Sequence, residues 1–397
     1  MSGVSAQVGL RQTLRDLPRV TWVLYLGTFV NRFGSFVLPF LVLYLIRRGY
    51  TVVQAGAVVS LYGVGSLLAS VVGGYLADRI GRRTAIVISM FTSAAILVAL
   101  SQAQQLSAIA VLTALAGLTA ELYRPASSAL LADLVPAGRR VTAFALYRLA
   151  INAGFAIGPA AAGFLADRSF LWLFWGDALT SAVFGVLAVI ALPERPHGKP
   201  VIEVRGEAVR AIFHDRIFVR FLAASILVGF VYVQSTSTFA LHVRDSGFSN
   251  AIYGALVSVN GLMVILLELP VTTVTQRLWA RGVIASGGLF VGVGFGLTAL
   301  AHTVPALALT VVVWTVGEIL TAPVSSAYVA DIAPPHLRAR YQGAWGLTWG
   351  LAAILGPLVG TRLYAWNASG FWLLCASLGV LAAGLVLIGR EPVRPVA

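Results

Sequence analysis

Hydrophobic residues occupy most of the chain in long runs, and polar residues are concentrated in the connections between those runs. A helix needs about 20 mostly apolar residues to cross the hydrocarbon core of a bilayer. Twelve runs reach that length, and they must be helical because a lipid-exposed backbone has to satisfy its hydrogen bonds within its own segment. We number them spans 1 to 12 in chain order: 20–46, 52–77, 84–101, 106–131, 141–166, 170–192, 217–243, 250–276, 283–301, 304–330, 340–364 and 370–389.

An internal repeat divides the chain into two halves. Only the connection Pro193 to Arg216 is long, and an offset of 198 residues aligns much of the chain on either side of it. "PASSALLADLVP" (125–136) falls on "PVSSAYVADIAP" (323–334). Because six is an even number of crossings, both halves have the same orientation, with a cavity expected between them. We therefore predict an all-α membrane protein with two pseudo-symmetric six-helix bundles, 1–192 and 217–397, joined by a cytoplasmic linker, 193–216.

Composition and charge support a membrane protein and argue against a nucleic-acid partner. The 397 residues are 58% hydrophobic and 11% charged, too apolar for a soluble protein. The net charge of +13 has another explanation, because 20 of the 28 Lys and Arg residues lie in connections on one side. Such a bias marks the cytoplasmic side. We expect a multi-pass protein of the inner (cytoplasmic) membrane with both termini in the cytoplasm, surrounded by lipid and monomeric.

Enzyme chemistry has little support in the sequence. The single Cys375 lies in an apolar run, and the five His residues are far apart without metal-ligand spacing. We find no nucleophile with a base and no glycine-rich phosphate loop. We therefore expect no enzyme activity, no metal and no cofactor.

Two motifs resemble those of a known family. "GGYLADRIGRR", between spans 2 and 3, resembles the signature of the major facilitator superfamily, and its matching residues are Gly74, Asp78, Arg79, Gly81, Arg82 and Arg83. "GFAIGPAAAG" on span 5 resembles the Gly-x-x-x-Gly-Pro motif of that family's antiporters, including multidrug exporters, with Gly154, Gly158, Pro159 and Gly163. The resemblance implies a twelve-helix transporter that works by alternating access, near the drug:proton antiporter branch.

The resemblance also implies a latch at the first motif. Asp78 would approach the positive end of the helix that starts near Arg340, and Arg82 would pair with Asp133, when the cytoplasmic side is closed. In the second copy of the motif Asp78 is replaced by Gln276 and Gly81 by Trp279. We interpret the span 5 glycines as packing surfaces where the halves slide or rock, because small residues let helices approach closely.

Ionisable residues inside spans are costly and are therefore functional candidates. There are seven: Arg32, Glu121, Arg124, Arg148, Asp177, Glu268 and Glu318. We expect Glu121, Glu318 or both to carry a proton, since a nearby Arg favours the charged form of a carboxylate and burial disfavours it. The alternative is a fixed ion pair, Glu121–Arg124 or Glu121–Arg148. For Asp177 we expect helix capping or a solvated outer ledge.

Other polar and aromatic residues would line a cavity suited to an amphipathic or aromatic solute. They are Tyr25, Asn31, Gln234, Trp314, Trp345 and Trp349. Each alone is more often a packing residue or a residue of the interfacial belt. The sequence predicts proton-coupled export of a small amphipathic or drug-like compound, with protons as the coupling ion. The alternative is an uptake symporter or a carrier of an anionic or lipid-like solute, because Arg pairs well with carboxylate and phosphate.

Overall fold

All twelve predicted spans are helical in the computed structural model, which describes residues 17–136, 139–194 and 211–388. Those helices are long and apolar enough to cross a membrane, which confirms the all-α class. The remainder of the predicted linker and both chain ends lie outside the described residues. Nine spans are single helices: Val52–Ile80 (span 2), Arg82–Gln102 (3), Arg140–Arg168 (5), Leu171–Ala191 (6), Asn250–Thr275 (8), Ala280–Leu297 (9), Val304–Ile332 (10), Arg338–Trp366 (11) and Ala368–Leu387 (12).

Span 1 is interrupted where the sequence predicts a continuous helix. It consists of Arg19–Phe33 and Val37–Arg47. Span 6 causes the break: a Cβ on Gly34 would lie 1.8 Å from the Thr180 hydroxyl, and the Asp177 carboxylate accepts the N–H of Val37 (3.2 Å). The new helix start is therefore capped by a side chain from another span.

Spans 4 and 7 are interrupted as well. Span 4 consists of Leu106–Glu121 and Tyr123–Leu134, and Pro125 cannot donate to the carbonyl of Glu121 four residues earlier. Span 7 consists of Arg216–Tyr232, a 3₁₀ turn and Thr238–Asp245. With the offset of 198 residues, the breaks in spans 1 and 7 coincide.

The backbone confirms that the two halves are pseudo-symmetric. Gly49 and Gly247, at the ends of spans 1 and 7, have φ of 87° and 83°, which only glycine adopts readily. The next helix in each half begins with a hydroxyl cap, Thr51 or Ser249. Repeat-related positions thus have the same conformation and the same local role.

The most extensive contacts between the halves are made by two helix pairs, spans 5 and 8 and spans 2 and 11. A Cβ on Gly63 would lie 2.7 Å from the Ala353 carbonyl oxygen, and one on Gly261 would lie 2.5 Å from the Ala156 Cα. Gly63 and Gly261 are repeat-related. Glycine therefore allows the closest approach in both pairs.

The two ends of the bundle differ. We call the end with the connections between spans 2 and 3, 4 and 5, 8 and 9, and 10 and 11 the basic end. Here spans 2 and 11 diverge: a Cβ on Gly74 or on Gly343 would have no neighbour within 4 Å. At the opposite end the halves are closed by Tyr253, whose hydroxyl lies 3.1 Å and 2.9 Å from the carbonyl oxygens of Pro39 and Ser235.

A second contact holds the opposite end closed. Asp167, at the end of span 5, accepts hydrogen bonds from the backbone N–H groups of Asn250 and Ala251 (2.9 and 3.0 Å) and from the Asn250 side chain (2.9 Å). A carboxylate from one half thus caps the first turn of span 8 in the other.

Candidate functional site

A central cavity of about 360 Å³ lies between the halves and contains charged side chains from both. Arg32, Glu121 and Asp177 line it from the first half, and Glu318 and Trp314 from the second. Four of the predicted intramembrane ionisable residues therefore face one space.

In the first half, Arg32 and Arg124 both pair with Glu121. The Arg32 Nη1 lies 3.0 Å from Glu121 Oε1, and the Arg124 Nη1 lies 2.8 Å from Oε2. The Arg32 side chain is buried, and its guanidinium lies 5.5 Å and 5.7 Å from the ring centroids of Tyr123 and Phe155. Cation–π contact adds to the ion pair. Glu121 therefore has two cationic partners, and the predicted Glu121–Arg124 pair is present.

In the second half, Glu318 is held by neutral donors. The Tyr232 hydroxyl donates to its Oε1 (2.9 Å) and the Asn260 amide to its Oε2 (2.6 Å). Within the part of the chain that the structure describes, Glu318 has no ion pair with Lys or Arg. Neither donor was predicted from the sequence, although Asn260 is recognisable as an amide within an apolar run. Charge on Glu318 is therefore uncompensated, unlike that on Glu121.

Arg148 and Glu268 form an ion pair with one another, so the predicted Glu121–Arg148 pair is wrong. Arg148 belongs to span 5 and Glu268 to span 8, and neither lines the central cavity. Both were predicted as cavity or proton-coupling residues. The structure places them in the contact between the halves, toward the basic end.

The predicted cavity residues separate into three groups. Asn31 and Trp314 line the central cavity, and the Trp314 indole nitrogen is buried without a hydrogen-bond partner among the described residues. Trp345 and Trp349 line a different cavity within the second half. Tyr25 packs in the core of the first half, where its hydroxyl donates to the Ala143 carbonyl (3.0 Å).

Gln234 is fully buried and does not line the cavity, contrary to prediction. Its amide donates to the carbonyls of Phe230 (2.8 Å) and Gly356 (3.2 Å), and its oxygen accepts from Ser237 and Thr238. These groups surround the break in span 7. Gln234 therefore satisfies polar groups that a continuous helix would not leave free.

Asp177 lines the central cavity and caps the second helix of span 1. It is only 9% exposed, so the predicted solvated ledge is wrong and the predicted capping is confirmed.

The motif between spans 2 and 3 has one of its two implied contacts. Arg82 forms an ion pair with Asp133 and donates to the Ala129 carbonyl (2.8 Å). Asp78 is exposed and has no hydrogen-bond or ion-pair partner among residues 17–136, 139–194 and 211–388. Gly81 has φ of 95°, whereas Trp279 at the repeat-related position has −63°.

The rest of this motif lies at the surface of the basic end. Arg79 donates to the Tyr75 hydroxyl (2.8 Å) on its own helix, and Arg83 donates to the Val189 carbonyl. Gly74 adjoins open space where spans 2 and 11 have separated. Of the implied latch, only the Arg82–Asp133 pair is present in this state.

The span 5 motif packs partly within its own half and partly against the other half. A Cβ on Gly154 would lie 2.7 Å from the backbone nitrogen of Phe33, and one on Gly158 would lie 2.5 Å from its oxygen. Gly163 contacts Asn250 of the other half, and the Pro159 carbonyl lies against Gly254 there. The expectation of a surface between the halves is therefore wrong for Gly154 and Gly158, which hold span 1 close to span 5 beside Arg32.

Comparison with known proteins identifies the family. The sequence model of the family described as the Major Facilitator Superfamily matches this chain over residues 24–265 and 237–397. The chain therefore belongs to the major facilitator superfamily, whose members are transporters.

Several curated relatives match almost the whole chain. The MFS-type transporter YqjV of Bacillus subtilis is 28% identical over 87% of this chain and 86% of its own length. A Na(+), Li(+), K(+)/H(+) antiporter of Planococcus maritimus and the multidrug resistance protein MdtH of Aeromonas hydrophila are each 24% identical, over 94% of this chain and 96% of theirs. The crystal structure of the nucleoside transporter NupG has the same fold, with a TM-score of 0.78, 20% identity and coverage of 93% of this chain and 98% of that one.

Proposed function

We propose that this protein is a secondary active transporter that exports a small amphipathic compound in exchange for protons by alternating access. The observation that carries the proposal is the unequal environment of the two cavity carboxylates. Glu121 has two guanidinium partners, whereas the donors to Glu318 among the residues that the structure describes are the neutral side chains of Tyr232 and Asn260.

This difference favours Glu318 as the proton carrier. A buried carboxylate without a counter-charge is costly in its ionised form, and protonation removes that cost. When the cavity opens to water, solvation lowers the free energy of the ionised carboxylate. The open and closed states of the cavity therefore differ in their affinity for the proton. A potential of 100 mV acting on one charge supplies about 2.3 kcal/mol to drive such a cycle.

The basic end is the cytoplasmic one in this proposal, because short connections rich in Arg stay on the cytoplasmic side. The structure then corresponds to a cavity closed toward the outside, with the halves separating toward the cytoplasm. Both termini would lie in the cytoplasm and the protein would reside in the inner membrane. We propose that it functions as a monomer.

Export of an amphipathic solute is favoured over uptake or transfer of an anion by the arginine partners. Arg32, Arg124 and Arg148 each form an ion pair with a carboxylate of the chain itself. An anion would have to displace such a carboxylate to gain a guanidinium partner. The relatives named as a cation/proton antiporter and a multidrug resistance protein also support exchange and export.

Transport in proteoliposomes tests the proposal. The purified protein is reconstituted with a pH-sensitive dye in the lumen, a pH gradient is imposed, and lipophilic amines, neutral aromatic compounds and Na⁺, K⁺ and Li⁺ are added in turn. Proton movement opposite to solute movement is expected for an amphipathic compound. Movement in the same direction, or solute flux without proton movement, would contradict antiport.

A matched pair of variants tests the role of Glu318. Glu318→Gln keeps the side-chain shape and should abolish proton-coupled flux, because the glutamine amide does not take up a proton at the pH values of the transport experiment. Glu194→Gln makes the same change at an exposed position of the basic end and should leave flux unchanged. Full coupling in folded Glu318→Gln protein would remove Glu318 from the mechanism.

A further inference from the structure

The second half contains a cavity of its own, which we call the C-half cavity. It has a volume of about 210 Å³ and is enclosed by spans 7, 9, 10, 11 and 12. Phe221, Trp345 and Trp349 provide aromatic walls. Glu318 and Tyr232 line both this cavity and the central one, so the two meet at the proposed proton carrier.

The first half is filled at the equivalent place. Phe184 is fully buried there, with its ring centroid 5.6 Å from that of Tyr123. Met90 is also fully buried. With the offset of 198 residues, the second half has a much smaller side chain at each of these positions: Ala382 for Phe184, Thr321 for Tyr123 and Gly288 for Met90. All three smaller residues line the C-half cavity.

The helices themselves pack in the same register in both halves. In the first half Ser89 of span 3 donates to the carbonyl of Thr119 in span 4 (2.6 Å). The repeat-related pair is Gly287 and Gly317, and a Cβ on Gly287 would lie 2.8 Å from the Gly317 oxygen. Spans 9 and 10 have therefore not moved apart, and the short side chains of Gly288, Thr321 and Ala382 leave space beside them.

A cavity of this size lowers the stability of the folded protein unless a ligand occupies it. An unfilled cavity lowers stability, and natural sequences tolerate such defects mainly where function requires them. An apolar cavity of about 150 Å³ in another protein binds benzene. The C-half cavity is larger, and its polar lining residues besides the two tryptophans are Glu318, Tyr232, Ser225, Thr321 and Ser325.

We propose that the C-half cavity binds the aromatic ring system of an amphipathic solute, whose hydrogen-bond-donating polar end lies beside Glu318 in the central cavity. Naming this occupant as the transported solute rests on the proposed function. Binding itself does not, because the cavity belongs to one half and needs no proton gradient. The second half thus selects for a ring of one or two fused members, while the first half has the larger side chains of Met90, Tyr123 and Phe184 at the equivalent positions.

Equilibrium binding of tritiated indole to the purified protein in detergent tests the proposal. Ala382→Phe introduces the side chain that the first half has at Phe184, and it should raise the Kd for indole by at least about tenfold, because the ring occupies the same volume. Leu381→Phe makes a similar addition on the exposed face of the same helix and should leave the Kd unchanged. Unchanged indole affinity in folded Ala382→Phe protein would overturn the proposal.

A second variant and a second ligand keep the test decisive. Gly288→Met fills the cavity from span 9, as Met90 does in the first half, and should have the same effect if Ala382→Phe does not fold. Tryptamine adds an ammonium to the same ring, so it should bind more tightly than indole to the wild type and no more tightly to Glu318→Gln. Equal affinity of both ligands for the wild type would contradict the placement of the polar end. Indole binding without proton-coupled flux would contradict only the proposed function.

Discussion

Arg148 and Glu268 join the two halves of the molecule through an ion pair between spans 5 and 8. Arg148 is 57% exposed and Glu268 15% exposed, so the pair lies at the edge of the opening toward the basic end. It is formed in a state that is closed at the opposite end. Its loss should therefore shift the balance between conformations more than the stability of either half.

Arg148→Gln should reduce the population of the observed state by up to about fivefold, since an ion pair accessible to water contributes at most about 1 kcal/mol. Electron–electron distance measurements between spin labels at Glu194, which directly follows span 6, and at His336 in the second half would report the shift. Cys375 is buried, which favours labelling of the introduced cysteines. The exchanged pair Arg148→Glu with Glu268→Arg should restore the wild-type distances. If the exchanged variant does not restore these distances, the Arg148–Glu268 ion pair does not determine the equilibrium between the conformations.

Arg32→Gln should lower thermal stability markedly. Removing one partner of a buried pair typically costs about 3–5 kcal/mol, although Arg124 still compensates part of the Glu121 charge. The double variant Arg32→Gln with Glu121→Gln should recover most of the stability, because it leaves no unpaired charge of that pair. Thermal unfolding in detergent measures both.

Transport by the same double variant separates a structural role from a functional one. We expect transport to stay impaired, because Arg32 and Glu121 both line the central cavity. Recovery of stability and transport together would assign the pair to packing alone.

Asp78→Asn should slow transport and leave solute affinity unchanged. Asp78 has no partner among the described residues in the observed state, so its charge should matter only when the basic end closes and the start of span 11 approaches. Comparing solute Kd with initial transport rate distinguishes the two effects. Gln276→Asn, at the repeat-related position, is the control and should change neither. Lost binding in Asp78→Asn would argue against the latch.

Gly154→Ala should destabilise the protein by about 1–3 kcal/mol, the usual cost of overpacking. The added Cβ would lie 2.7 Å from the Cβ of Arg32 and would push span 1 away from span 5. Gly384→Ala is the matched control, because its Cβ would have no neighbour within 4 Å. Equal thermal stability of both variants would show that span 1 adjusts without cost.

The helical spans and the internal repeat could be predicted from the sequence, whereas the partners of individual side chains could not. Twelve apolar runs and an offset of 198 residues are strong signals, because bilayer thickness sets helix length and duplication preserves positions such as Gly49 and Gly247. The breaks in spans 1 and 7 leave no such signal. Span 1 breaks because Thr180 and Asp177 contact it from span 6, which is a tertiary effect.

The charged residues illustrate the same limit. Their depth in the membrane could be predicted from their positions within the apolar runs. Arg32, Glu121 and Glu318 line the central cavity, as predicted. Which carboxylate each Arg meets depends on helix rotation and crossing, so Arg148 could not be assigned to Glu268 in advance. Gln234 was misplaced for a related reason, since a buried amide that satisfies backbone groups has the same sequence context as one that lines a cavity.

The contact of Asp167 with the start of span 8 determines how the closed end can be released. Asp167 is exposed and Asn250 is partly exposed, so water can replace each of their hydrogen bonds as it breaks. Exchanging such a bond for one to water changes the free energy by only about 1 kcal/mol. Release of the Asp167 contact therefore proceeds in small steps, each close to thermal energy. A modest driving force can break and re-form this contact in every cycle.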